Sequence, residues 1–106
     1  MIRAELFVDR DDNITGFHIK GHSGLADAGE DVLCAFVSSA AYMAANTVTD
    51  VIGAEADAFA DDGDMRLEVS GKIGECQAVL RGLELHLRET EKQYPENLSV
   101  KLRKAN

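Results

Sequence analysis

From the second residue onward, apolar positions recur at every other place: Ile2, Ala4, Leu6 and Val8 alternate with Arg3, Glu5 and Asp9. A period of two predicts a half-buried strand. The turn-rich run Asp9-Arg10-Asp11-Asp12-Asn13 then reverses the chain, and Ile14 to Gly21 resume the alternation, with Phe17 and Ile19 on one face and His18 and Lys20 on the other. The two segments predict a hairpin. From Gly21 to Glu30 the periodicity stops and three glycines (Gly21, Gly24, Gly29) intervene, which predicts a mobile loop.

The period changes at Asp31. The run from Val32 through Ala45 to Ile52 contains no Pro or Gly, and Gly53 stands where a C-cap belongs, so a long helix is predicted. It is apolar around most of its circumference and rich in Ala and Ser, so it should pack on a sheet on one side and on something else on the other. A second copy of the chain is the economical partner. Residues 55–60 and 65–70 predict a second hairpin across Asp61-Asp62-Gly63-Asp64, with Met65, Leu67 and Val69 inward. Cys76, Val79 or Leu80, Leu83 and Leu87 recur at helical spacing up to Tyr94-Pro95, and Leu98, Val100 and Leu102 predict a last strand. The order ββαββαβ predicts a two-layer α+β domain: one mostly antiparallel sheet with two helices packed on one face. The 106 residues, 45% hydrophobic, suffice for a single domain over 1–106.

Charge narrows the function. Eleven basic against nineteen acidic residues give a net charge of −8. Such a field does not attract phosphate backbones, so direct nucleic-acid binding is disfavoured and a basic protein partner is favoured. The basic cluster Lys101, Arg103 and Lys104 alternates with apolar residues and is read as the wet face of the last strand. No apolar run approaches about 20 residues and the N-terminus lacks signal-peptide regions, so the expectation is a cytoplasmic protein without a membrane span. In a reducing compartment two cysteines are free thiols rather than a bridge, and Cys34 and Cys76 lack the Cys-x-x-Cys spacing of a redox pair.

Candidate chemistry gathers where the second strand ends and the first helix begins. With Asp31 as N-cap, Cys34 falls at the third helical position, where the helix dipole and unpaired N–H groups favour a thiolate. Thiols in such settings fall from ~8.5 to about 3.5–7.5. His22, at the end of the adjoining strand, can accept the thiol proton and later give it to a leaving amine. First-turn N–H groups, that of Cys34 included, are candidate oxyanion donors. A zinc site is the competitor, but His18 and His22 are ~13 Å apart along a strand, and Cys34 with one histidine leaves two ligands unnamed. No metal is therefore expected. Cys76 reads as core, His86 as surface, and Ser38, one turn beyond Cys34, as a backbone partner or a lining residue.

These same residues carry a resemblance. Gly21-His22-Ser23-Gly24, followed by Gly29-Glu30-Asp31-Val32-Leu33-Cys34-Ala35-Phe36-Val37-Ser38, resembles the ribosomal-processing cysteine protease (Prp) family along nearly the whole chain. The resemblance implies an endopeptidase with Cys34 as nucleophile and His22 as base, supported by Asp31, Ser38 and Gly21. On the protease reading the loop of residues 23–30, with Ser23, Gly24, Gly29 and Glu30, would open to admit an extended peptide and close to exclude water. The resemblance further implies a cofactor-free homodimer that removes a short N-terminal extension from a basic large-subunit ribosomal protein, cutting after an aromatic residue. Phe36 departs from the small residue common in the family, which places the pocket wall or the dimer contact in question. The competing reading is a non-enzymatic ribosome-assembly or interaction module in which Cys34 is structural.

Overall fold

The computed structural model describes residues 1–22, 24 and 31–104. The alternating segments form β1 (Ile2–Val8), β2 (Ile14–Lys20), β3 (Ala56–Asp61), β4 (Asp64–Val69) and β5 (Leu98–Lys104), and the helical ones α1 (Val32–Asn46) and α2 (Gln77–Gln93). The five strands make one sheet in the order β3-β4-β2-β1-β5. Three pairings are antiparallel, and β1 pairs with β5 in parallel. The predicted α+β architecture and element order are observed.

Register explains the core. Leu6 stands opposite Phe17 and Ala4 opposite Ile19, while Val8 faces Ile14; the shift between Phe7 and Val8 leaves Thr15 as the extra residue of a bulge. That bulge is why Ile14 and Phe17, three apart, are both buried. Continuing outward, Phe17 and Ile19 lie opposite Leu67 and Met65, and Ile2 and Ala4 opposite Leu98 and Val100, so a single apolar face runs across the sheet. Leu33, Val37, Ala41, Ala44 and Val48 from the first helical segment and Leu80, Leu83 and Leu87 from α2 bury against it. Both helices therefore cover one face. The Gln77 side chain accepts the Ile14 N–H at 2.7 Å and donates to its carbonyl at 2.8 Å, which ties the start of α2 to β2.

Three details refine the expectations. The long helix keeps α-geometry only to Asn46; Thr47–Ile52 widen to a π-helical turn before Gly53 closes it at φ 72°. The cause is local: β-branched residues crowd this stretch, and the Thr47 and Thr49 hydroxyls donate to the Met43 and Ala45 carbonyls, competing with the regular ladder. The whole 21-residue stretch Val32–Ile52 is long and apolar enough to cross a bilayer by length and composition, contrary to the count of apolar runs made on the sequence. Its buried stripe, however, packs on the sheet. Cys76 lies not within α2 but at the end of a 3₁₀ turn, Ile73–Cys76, that leads into it, and it is fully buried as expected.

Candidate active site

Lys20 is the last residue of β2, and Gly21 redirects the chain at φ 104°. A side chain is excluded there: an added Cβ would sit 2.4 Å from the Met1 carbonyl oxygen. The Gly21 N–H donates to the Gly63 carbonyl at 2.9 Å, so the segment presenting His22 is tied to the β3–β4 turn. On the facing element Asp31 is the N-cap of α1, as predicted, and is buried. Its carboxylate accepts the Cys34 N–H at 2.9 Å, and its carbonyl accepts the Ala35 N–H at 3.1 Å. Cys34 thus occupies the third position of the first turn, half-buried, with Sγ 3.8 Å from Nδ1 of His22. Twelve residues separate the two in sequence; the fold brings them into contact.

Two electrostatic expectations are corrected. The thiol is pushed above its usual range rather than below it, first by burial and then by the negative charges of Asp31 and Asp62; a hydrogen bond with Ser38 opposes this. The N-cap that places Cys34 in the first turn is itself an anion, and it offsets the positive end of the helix dipole. Nor is the Cys34 N–H an open oxyanion donor, because Asp31 takes it. A thiol held up in this way is mostly protonated at neutral pH, so a thiolate at Cys34 would form by proton transfer to a nearby base. Iodoacetamide should accordingly label Cys34 faster at each step from pH 6 to pH 9, without reaching a plateau near pH 7, while buried Cys76 stays unlabelled. A plateau below pH 7 in the labelling rate would contradict the raised thiol.

Ser38 and Cys34 line a cavity of about 300 Å³ together with Gly21, Val37, Tyr42 and the acidic β3–β4 turn. The turn and Tyr42 escaped the sequence reading. The run Asp61-Asp62-Gly63-Asp64 announced a hairpin, but only the pairing of β4 beside β2, with Asp64 opposite Lys20, sets it next to His22. Phe36 does not line this cavity. It stacks on His86, with ring centroids 5.9 Å apart, over a separate groove of about 540 Å³ between α1 and α2. Of the expected gating loop, Gly24 is exposed at φ 79°, and Ser23, Gly29 and Glu30 lie outside the described residues.

His22, Asp31 and Cys34 each bring a donor atom within 4.8 Å of the others, one more than the sequence reading of a metal site had found. The same three groups are a thiol, an imidazole in contact with it and a carboxylate capping the thiol's backbone, the kinds of group that acyl transfer uses. The sequence model of a family described as cysteine protease Prp matches residues 1–99. The chain belongs to the Prp family of cysteine proteases. A ribosomal processing cysteine protease Prp from Bacillus subtilis (strain 168) is 29% identical over 107 residues, spanning 94% of this chain and 96% of its own. A Prp from Staphylococcus aureus is 22% identical over 103 residues, spanning 94% and 97%. The fold matches the crystal structure of an essential S. aureus Prp with a covalently linked product peptide, at TM-score 0.88 and 23% identity, over 97% of this chain and all of that one. A second S. aureus Prp structure, with a substrate peptide, matches at TM-score 0.84 and 22% identity, with the same coverage. The enzyme class predicted from the sequence, a cysteine endopeptidase, stands with the Prp family, and the non-enzymatic reading falls.

Proposed function

We propose that this Prp-family chain removes the N-terminal extension of a large-subunit ribosomal protein precursor, with Cys34 as nucleophile and His22 as general base. The observation that supports this most directly is the 3.8 Å approach of Sγ to Nδ1 beside a cavity that reaches the surface. In the reaction Nδ1 takes the thiol proton as Sγ attacks the scissile carbonyl carbon. The tetrahedral adduct collapses to a thioester as the imidazolium gives its proton to the departing amine, and water, deprotonated by the same imidazole, then releases the acid and restores the thiol. The B. subtilis and S. aureus relatives, named ribosomal processing proteases, support the substrate class, and the net charge of −8 suits a basic partner. The test is incubation with peptides spanning the extension of a large-subunit ribosomal precursor, read by mass. Two complementary fragments from a single cut after an aromatic residue are expected; an intact peptide would reject the substrate.

We also propose that the enzyme works in the cytoplasm and that it is a homodimer, the latter because α1 leaves Val32, Phe36 and Met43 exposed away from both its buried stripe and the Cys34 cavity. Sedimentation should give twice the 11.5 kDa chain mass, and Phe36→Asp should shift it to the monomer. A wild-type monomer at micromolar concentration would reject the dimer.

A further inference from the structure

The β3–β4 turn carries three aspartates beside the Cys34 cavity, and their partners divide them. Asp61 accepts the Asp62 N–H at 2.8 Å and so fixes the turn. Asp64 is held by Arg66, at 2.9 Å, and by His18 Nε2, also at 2.9 Å. Asp62 has the remaining direction: Oδ2 lies 4.0 Å from Nε2 of His22. The imidazole is therefore flanked on both nitrogens, by the nucleophile at Nδ1 and by a carboxylate at Nε2. The backbone reinforces this placement. Gly63, at φ 70°, lies so close that an added Cβ would be 2.9 Å from Nε2, and its carbonyl accepts the Gly21 N–H directly before His22.

We propose that Asp62 is a positioning residue for His22, which rests on the reading of His22 as the general base. A carboxylate at Nε2 keeps the neutral ring protonated there, which leaves the Nδ1 lone pair free for the thiol proton. It also stabilises the imidazolium formed during attack. Among the described residues, Cys34 and Asp31, both from the start of α1, also bring ionisable groups to the ring. Asp62 is 87% exposed in the free enzyme, where water screens the pair. A peptide lying over the cavity excludes that water, and catalytic contacts that are long in a free enzyme tighten in the bound one.

The experiment is steady-state kinetics on a precursor peptide. Asp62→Ala should lower kcat by about 10- to 100-fold with KM within about twofold. Asp62→Glu, which keeps a carboxylate beside Nε2, should recover most of the loss. Exposure of the side chain predicts unchanged melting of both variants, so lost folding does not account for the effect. Unchanged kcat in Asp62→Ala, or a loss carried by KM alone, would overturn the proposal. His22→Ala separates the two readings: if it retains cleavage, the base assignment fails, whereas if it is inactive while Asp62→Ala is not impaired, only the role of Asp62 fails.

Discussion

Cys34→Ser should reduce precursor-peptide cleavage by roughly three orders of magnitude or more while leaving the fold intact. The substitution is nearly isosteric, and the Asp31 carboxylate bonds the backbone N–H at this position, not the sulfur, so the helix start is retained. Cys34 is only half-buried, whereas the fully buried thiol is Cys76. What changes is the proton. A hydroxyl is far harder to deprotonate than even a raised thiol, and the imidazole at 3.8 Å cannot make up that difference. His22→Ala should cost about 10²- to 10⁴-fold by removing the base. Melting of both variants within a few degrees of wild type, together with the loss of fragments by mass, constitutes the expected result. Cleavage by Cys34→Ser at a rate near wild type would end the nucleophile assignment.

Gly21→Ala should impair stability and activity together. At φ 104° a side chain pays strain of about 1–3 kcal/mol. The new Cβ would also meet a backbone carbonyl, that of Met1, which cannot swing aside as a flexible side chain could. The relief open to the chain is to shift the Gly21 backbone, which loses the bond to Gly63 and carries His22 away from Cys34. Destabilisation of about 2–4 kcal/mol should therefore appear as a melting temperature lower by roughly 10 °C or more. A fall in kcat of at least about tenfold should be measurable at temperatures where the variant is still folded. A variant with wild-type melting and turnover would show that the glycine is replaceable and that His22 is held by other means.

The two predictions differ in how much of each could be read from the chain. That Cys34 sits at a helix start followed from Asp31, the apolar run and Gly53. That Gly21 must be glycine did not, because the atom it would strike belongs to Met1, far away along the chain and brought alongside only by the pairing of β1 with β2. The thiol's charge state shows the same division. Position in the first turn was legible, but the sign of its shift was decided by burial and by Asp31 and Asp62, one sequence neighbour and one distant carboxylate. Phe36 was legible as an apolar residue near Cys34, yet the helix turns its ring toward His86 and away from the cavity.

By itself, then, the order of residues determined the elements: strand alternation at period two, helices at 3.6, caps at Asp31 and Gly53, and a Cys and a His placed at element ends. Each of these is a property of neighbours along the chain, set by local sterics and by which face is apolar. Tertiary structure decided which ends meet: the parallel pairing of β1 with β5, the bulge at Thr15, and the β3–β4 turn brought beside His22. Contacts between residues tens of positions apart depend on how all the apolar faces close over one core, and no local period encodes that closure.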